Sequence, residues 1–492
     1  MTLGQRIRAG VAWLMLGNTG SEILSFLFGI ALARLLVPAD FGMIATIHIL
    51  TGVVSLISSG GMALSLVRAR QVDAQDFNVV FTIQLGLAVL ICAGTFAIAP
   101  WFARFFENPL YVDLLVISAL NFLLRPFALI RSAWLNREML FKASAIVNLA
   151  STFVTQIASV SMAAAGMGVW SLSLGGLIAA FTTNVMLYRL TPLRLKLRFD
   201  AQVARRHAAF GFNMTALELI DHVNVQATSL ILSKLVGPQF LGLFNKAKSL
   251  ARMPNHMITP AVGKVLFRAL STVSHDLDQS KYMCFRTITL LSVYIFPALV
   301  AFIWVAEPLI VFLYGEKWAP TGEPAQIIAI AGFFLTSSRP CYVLLEAQNR
   351  LRPLMAIAAT LMVVSVVACL IGLRWGLAGV AWSAVLGSAL NFILLYIVVC
   401  KTIAARVSDL ARAVAPALML NGLLFIVLAA LHFQIATLRA SLPFAYLAAM
   451  GGVGGVVYVC AFMLLPIQAL ETEVARWRAR ASRFLAVIRL HR

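Results

Sequence analysis

Apolar residues come in runs of about 20, separated by short polar segments, and that spacing predicts membrane-crossing helices rather than a globular core. Windows long enough to cross fall at 11–33, 42–66, 78–99, 110–130, 144–165, 168–188, 210–233, 240–266, 285–306, 325–346, 354–373, 376–400, 413–433 and 442–466. The pattern therefore predicts an all-α integral membrane protein with fourteen transmembrane helices. The eighth window is the least apolar, because Lys246, Lys248, Arg252 and Lys264 interrupt it. The first follows Arg6 and Arg8 and runs to about Leu36, far past the h-region of a secretory signal, so it reads as an uncleaved span.

The pattern also repeats. Leu32-Ala33-Arg34-Leu35-Leu36-Val37-Pro38-Ala39-Asp40-Phe41-Gly42 returns 200 residues later as Leu232-Ser233-Lys234-Leu235-Val236-Gly237-Pro238-Gln239-Phe240-Leu241-Gly242. Each copy closes one apolar run and opens the next. Asn136-Arg137 matches Asn349-Arg350, and Gly168-Val169-Trp170-Ser171 matches Gly379-Val380-Ala381-Trp382-Ser383. Spans one to six thus map onto seven to twelve in the same orientation, the parallel-repeat arrangement of alternating-access transporters. The expected organisation is a six-helix N-lobe (1–190), a basic cytoplasmic linker (191–208), a six-helix C-lobe (209–400), two spans outside the repeat (401–470) and a basic amphipathic tail (471–492). In that tail Val474, Trp477, Phe484, Leu485 and Ile488 share one helical face, as in an interfacial helix.

Charge then orients the spans. With the N-terminus inside, 27 of the 39 Lys and Arg residues fall in inner segments, and only Arg34, Arg104, Lys234, Lys317, Arg374 and Arg439 in outer ones. Both termini are expected in the cytoplasm. The composition agrees: 61% of residues are hydrophobic, 12% are charged and the mean hydropathy is +0.91. The net charge of +20 reads as topology and adhesion to anionic membrane lipids. Basic residues interleaved with aromatics on a soluble module, the footprint of a nucleic-acid partner, are not found. The six cysteines lie singly, without disulfide or metal-ligand spacing.

Apart from Arg286, at the inner edge of the ninth window and counted with the inner segment, six cations remain inside the windows: Arg125, Lys246, Lys248, Arg252, Lys264 and Arg339. A charge at mid-membrane costs about 2.5–3.5 kcal/mol, so each needs a cavity or a partner. Asn245, Lys248, Arg252, His256 and Thr259 fall on one helical stripe; Asn121, Arg125 and Ser132 form another, and Arg339 lies two turns from Glu346. Polar stripes also mark spans one (Asn18, Glu22, Ser25, Gly29) and seven (Glu218, Asp221, His222, Gln226, Ser229). One reading is a wet, cation-rich cavity in which Arg125, Lys248, Arg252, His256 and Arg339 bind a phosphate or pyrophosphate. Glu22, Glu218, Asp221, His222 and Glu346 are then candidates for coupling to an H+ or Na+ gradient. The other reading is internal ion pairing, Lys248 or Arg252 with Asp221 and Arg339 with Glu346. Lys246 and Lys264 lie nearer span ends, where snorkelling suffices. His48 reads as an interior histidine satisfied by its neighbours.

Catalytic and cofactor signatures are missing. No G-x-x-x-x-G-K-[ST], H-E-x-x-H or nucleophile-elbow motif occurs, and no cofactor is expected. Asp276-Leu277-Asp278 resembles the metal–nucleotide pair of glycosyltransferases but lies in a short inner loop. Gly451-Gly452-Val453-Gly454-Gly455 lies inside the last span, where close helix packing explains it.

Ala33-Arg34-Leu35-Leu36, Pro38, Asp40-Phe41-Gly42, Asn136-Arg137-Glu138-Met139, Gly168-Val169-Trp170, Leu241-Gly242, Phe244-Asn245, Ala247, Tyr314-Gly315 and Lys317-Trp318 carry a family resemblance. Over residues 5–400 the chain resembles the polysaccharide transporter (Wzx-type, colanic-acid-exporter-like) family of the multidrug/oligosaccharidyl-lipid/polysaccharide flippase superfamily. The resemblance implies two six-helix lobes forming a V. It also implies translocation of an undecaprenyl-pyrophosphate-linked oligosaccharide across the bacterial inner membrane, for exopolysaccharide, capsule or O-antigen, alongside export partners such as a polysaccharide polymerase. One departure concerns span seven: many members carry a central aspartate where this chain has Gln226, with Glu218 and Asp221 one or two turns earlier. Other readings are a peptidoglycan-precursor flippase or drug antiporter on the same frame, a membrane-embedded polymerase or ligase, and a scaffold for a synthesis complex. A drug antiporter is expected to have a net acidic cavity, contrary to the cation surplus.

Overall fold

The computed structural model describes residues 3–59, 62–68, 72–273 and 275–479, with side chains at all of these except 3–12, 14, 59, 64, 68, 208–218, 220, 221, 223–225 and 440. Its α-helices are α1 (Leu3–Leu35), α2 (Pro38–Ser59), α3 (Met62–Arg68), α4 (Ala74–Phe105), α5 (Leu110–Arg137), α6 (Phe141–Ala164), α7 (Val169–Leu190), α8 (Ala201–Leu235), α9 (Pro238–Thr272), α10 (Leu277–Tyr314), α11 (Gly322–Ala347), α12 (Leu351–Gly372), α13 (Gly376–Ile403), α14 (Val407–Gln434), α15 (Leu438–Ser441) and α16 (Pro443–Leu464). Residues 471–479 are also helical, while the rest of the expected tail helix lies outside the described residues. No strand occurs among the described residues.

Short acidic side chains start several of these helices. Asp73, Asp200 and Asp276 accept hydrogen bonds from first-turn amides of α4, α8 and α10, and the Val37 amide donates to Asp40 at 3.1 Å to open α2. Each such cap is worth about 1 kcal/mol. Asp276-Leu277-Asp278 is thereby a helix start, with the Gln279 amide 2.9 Å from Asp276 Oδ1.

Among the described residues, eleven helical stretches are long and apolar enough to cross a membrane. The count of fourteen needs more than this. The stretch Leu351–Ile403 must be divided into α12 and α13, which a turn at Leu373–Trp375 and Gly376 (φ 64°) separates. It also needs α8 and α9 to cross, 35 residues each, whose polar stripes keep them outside the apolar set. Many helices overrun their windows: α4 has 32 residues and α10 has 38, against about 20 needed to cross. Hydrophobicity marks the lipid-buried middle of a helix, whereas backbone hydrogen bonding carries it on into the polar layer.

The chain divides into two compact units, Met1–Leu243 and Phe244–Arg492. In the first, α4 packs on α5, α1 on α6, α6 on α7, and α8 on α2, α3 and α4. Its core holds Met43, Ile47, Phe102, Tyr111, Leu114 and Val169, with a second cluster around Leu66, Phe77, Phe81 and Ile130. Because α8 packs on α2, the boundary falls just inside α9 and not in the basic linker. In the second unit α10 is the hub, against α11, α14 and α16. Thus α14 and α16, outside the sequence repeat, still build this core, and Gly454 lets α16 close on Leu428 of α14.

Within the first unit the two copies of the repeated motif touch each other. A Cβ on Gly42 would stand 1.6 Å from the Pro238 carbonyl oxygen, and one on Gly242 would stand 1.9 Å from that of Pro38. The reciprocity is what a two-fold relation between repeats requires. Beside it the buried hydroxyls of Thr46 and Ser233 lie 2.5 Å apart. Lys234 Nζ pairs with Glu107 Oε1 at 2.7 Å and lies 5.1 Å from the centre of the Phe105 ring.

No side chain fits at Gly42 or Gly242, so Gly42→Ala and Gly242→Ala should each destabilise by about 1–3 kcal/mol or more. Gly86→Ala, with nothing within 4 Å of the added methyl, should leave the melting temperature unchanged or slightly raised. Thermal denaturation in detergent checks both.

The Glu107 carboxyl is held below the usual carboxylate range, chiefly by the hydrogen bond from Lys234 and then by its charge. A lowered carboxylate pKa adds stability above the ordinary value and loses it as pH falls through the lowered one. Acidification from about pH 6 to about pH 3 should therefore weaken the wild type slightly more than Glu107→Gln, and added salt should shrink the difference. Melting curves across that range test it.

Candidate functional site

The polar stripe of α9 lies in the second unit. Lys248 and Arg252, one turn apart, are half-buried, as are Asn245 and Thr259, while His256 is exposed. Arg252 Nε is buried and has no hydrogen-bond partner. Six ion pairs occur among the described residues, and none uses Arg125, Lys248, Arg252 or Arg339. The alternative of internal pairing is thus not realised for Arg339 and Glu346. The Asp221 side chain, the expected partner of Lys248 or Arg252, lies outside the described residues, as does that of Glu218.

Asn255, one position off the stripe, holds α9 to α11. Thr336 Oγ1 donates to Asn255 Oδ1 at 2.6 Å, Asn255 Nδ2 reaches the Gly332 carbonyl at 3.4 Å, and Thr259 Oγ1 donates to the Asn255 carbonyl at 2.6 Å. Pro254 and Pro260 sit in the same helix, each removing one backbone donor. Polar side chains make such interruptions tolerable within a membrane bundle.

Arg339 does not join Lys248 and Arg252. Its guanidinium lies against Gly263, whose Cβ would be 3.1 Å from Nε, and 5.4 Å from the Tyr342 ring centre. Gly263 is eleven residues beyond Arg252, about 16 Å along the helix axis. Lys246 departs from its expected snorkelling. Its ammonium stands 4.1 Å from the Tyr314 ring centre and 5.6 Å from that of Trp318, and both aromatics are buried. Lys264 is exposed. The repeated tryptophans also part company. Trp170 packs against the first unit's core, whereas Trp382 is 53% exposed along an apolar groove of about 790 Å³ with Trp375 and Leu386.

In the first unit Arg125 is half-buried on α5, one turn after Asn121, whose Oδ1 is buried without a partner. Asn18 and Ser132, read as parts of two separate stripes, meet in one polar cavity of about 300 Å³ with Asn136, Asn148 and Thr183. Asn148 Nδ2 is 3.4 Å from Asn18 Oδ1. Glu22, one turn on, is exposed and does not line that cavity. His222 lies across α2: Nε2 is 3.4 Å from the Ile49 carbonyl, and a Cβ on Gly52 would stand 2.2 Å from the ring. His48 is a correction to the sequence reading, being exposed with Thr51 Oγ1 3.5 Å from Nδ1. An α-helix of this length turns every side into play, and one apolar run does not say which side meets a neighbour.

The sequence reading missed a buried clasp. Ser65 Oγ is 2.6 Å from His207 Nδ1, and His207 Nε2 is 3.2 Å from Asp76 Oδ1. The order imitates a hydrolytic triad, but Ser65 is 8% exposed and its hydroxyl also reaches the Met62 carbonyl at 2.6 Å. It ties α3, α8 and α4 together. Asn255, Lys246 and this clasp share one signal that was available: a polar residue inside or beside an apolar run.

Comparison with known proteins places these features in a family. Residues 31–323 match the family described as "Polysaccharide biosynthesis protein". The succinoglycan biosynthesis transport protein ExoT of Rhizobium meliloti is 25% identical over 68% of this chain and 67% of its own length. The lipopolysaccharide biosynthesis protein WzxC of Escherichia coli is 20% identical over 71% of this chain and 72% of its own. Among solved structures, the lipid II flippase MurJ in an inward closed conformation superposes with a TM-score of 0.71 at 13% identity, covering 91% of this chain and 97% of that one. An inward-facing multidrug resistance MATE family transporter of the MOP superfamily gives 0.61 at 14% identity, covering 80% and 98%. At such identities the structural likeness speaks to fold.

The two polar groups of α9 should respond oppositely to removal. Asn255→Ala removes the side-chain bonds from α9 to α11, although Thr336 Oγ1 keeps the Gly332 carbonyl at 2.8 Å as an acceptor, and should lower stability by about 1 kcal/mol. Arg252→Met replaces a half-buried cation, whose Nε is buried without a partner, by an apolar chain of similar length and should raise the melting temperature of the ligand-free protein. A drop for Arg252→Met would mean that the guanidinium has a stabilising partner.

Proposed function

As this chain belongs to the polysaccharide biosynthesis protein family, we propose that it is a multi-pass membrane flippase for a lipid-linked glycan. Its cargo is an undecaprenyl-pyrophosphate-linked oligosaccharide, moved across the inner membrane for exopolysaccharide, capsule or O-antigen. The chain is a transporter and not a polymerase or ligase; its relatives' names, transport protein and flippase, support that reading.

One observation carries the cargo assignment. Lys248 and Arg252 lie half-buried on one face of α9, outside every ion pair among the described residues, with an Arg252 donor unsatisfied. A buried guanidinium N–H without an acceptor is costly, and a pyrophosphate supplies several acceptors at once. Lys248 and Arg252 are therefore the proposed head-group contacts, with His256 and Arg339 of the same unit and Arg125 of the first unit as further candidates, while the prenyl tail stays in lipid. Alternating access follows from the parallel repeat. Coupling to H+ or Na+ is assigned to Glu22 and the α8 carboxylates Glu218 and Asp221, with His222 and Glu346 as secondary candidates. The excess of Lys and Arg in alternate segments supports a cytoplasmic position for both termini.

Deleting the gene should make prenyl-linked repeat units accumulate on the inner leaflet and stop glycan export. Complementation by Arg252→Met should fail, although the variant is folded and present in the membrane at wild-type level. Full export by that variant would remove the proposed head-group site. Glycosidic bond formation by the purified protein would replace the flippase reading with an enzymatic one.

A further inference from the structure

Between α7 and α8 the chain runs from Thr191 to Asp200 without regular secondary structure, yet it is held in place. The Lys196 amide donates to Asn78 Oδ1 at 2.8 Å, and the Arg198 amide donates to Thr82 Oγ1 at 2.9 Å. Gln75 Nε2 donates to Asp200 Oδ2 at 2.9 Å, and Asp200 Oδ1 accepts from the Gln202 and Val203 amides. His207, in the clasp with Asp76 and Ser65, anchors the next two turns of α8. On one side Leu193 and Leu195 pack into the cluster of Leu66, Phe77 and Phe81.

The other side is built differently. Arg189, Arg194, Lys196, Arg198, Arg205 and Arg206 are all exposed, and the single acid between them, Asp200, is spent on capping and on Gln75. Leu197 and Phe199 are 68% and 72% exposed. An extended segment with alternating basic and apolar residues, fixed to its own scaffold, is a preformed surface.

Its position selects the occupant. The segment leaves α7 where that apolar helix ends, and it runs beside residues 75–82 of α4. With 32 residues α4 is about 48 Å long, and the hydrocarbon core is about 30 Å. The first turns of α4, and the linker bound to them, therefore lie in the head-group layer. There exposed leucine and phenylalanine enter the acyl boundary while arginine and lysine reach outward to phosphates.

We propose that residues 189–206 form a binding site for anionic phospholipid head groups, which fastens the linker between the two repeats to the membrane surface. This site uses none of the α9 residues and does not depend on what the protein carries. Each basic residue near an anionic leaflet contributes roughly a fivefold factor in binding.

The test uses the full chain in nanodiscs of phosphatidylcholine with or without phosphatidylglycerol, read by hydrogen–deuterium exchange over 191–206 and by native mass spectrometry of retained lipid. Phosphatidylglycerol should slow exchange in this segment, and high salt should reverse the effect. Arg194→Gln/Lys196→Gln/Arg198→Gln should reduce retained phosphatidylglycerol roughly tenfold or more, with the melting temperature unchanged. Leu197→Ser/Phe199→Ser should weaken the protection while leaving its salt dependence. Equal exchange in both nanodiscs would overturn the proposal. So would equal protection by inorganic phosphate in phosphatidylcholine alone, or protection that needs an added acidic protein.

Discussion

A charged side chain at mid-membrane costs about 2.5–3.5 kcal/mol on insertion scales, and α9 carries Lys248 and Arg252 within its length, outside every ion pair among the described residues. That cost shapes the rest of the molecule. It confines most lysines and arginines to segments between spans, and it leaves those that remain in need of a local partner or an aqueous path. It also explains why α8 and α9 are the two long helices that fail an apolar test.

Those two helices are where the repeats meet. The motif at 32–42 and its copy at 232–242 are more than a trace of duplication, because Gly42 and Gly242 each receive the other copy's proline carbonyl. The contact depends on the absence of two methyl groups. It is reinforced by the Thr46–Ser233 hydroxyl pair and by Lys234 with Glu107. The opposite end of the first unit is closed by different means, the Ser65–His207–Asp76 clasp and the linker bonded along α4. Polar interactions concentrate at helix ends, and apolar packing fills the length between.

The cations themselves separate into classes once their surroundings are known. Lys246 is absorbed by Tyr314 and Trp318, and Arg339 lies flat against Gly263 and Tyr342. Lys264 is exposed. What remains on α9 is Lys248 with Arg252, the pair whose chemistry suits a pyrophosphate. Coupling carboxylates belong to a separate question, because Glu22 is exposed on α1 and stands apart from the polar cavity of Asn18 and Ser132.

Hydropathy, the charge alternation and the internal repeat determined from the sequence alone that this is a helical membrane protein with the family's motifs, since lipid acts on each span independently and leaves its mark in local composition. The sequence also marked α9 as the helix out of keeping with lipid. It did not tell which of its cations lie outside the ion pairs of the described residues, that Asn255 faces α11, that His48 is exposed or that α8 packs with the first unit. Those are decided by which helix faces meet. A run of apolar residues is compatible with any rotation about its axis, and only packing against specific neighbours, at glycines such as Gly52 and Gly263, chooses one.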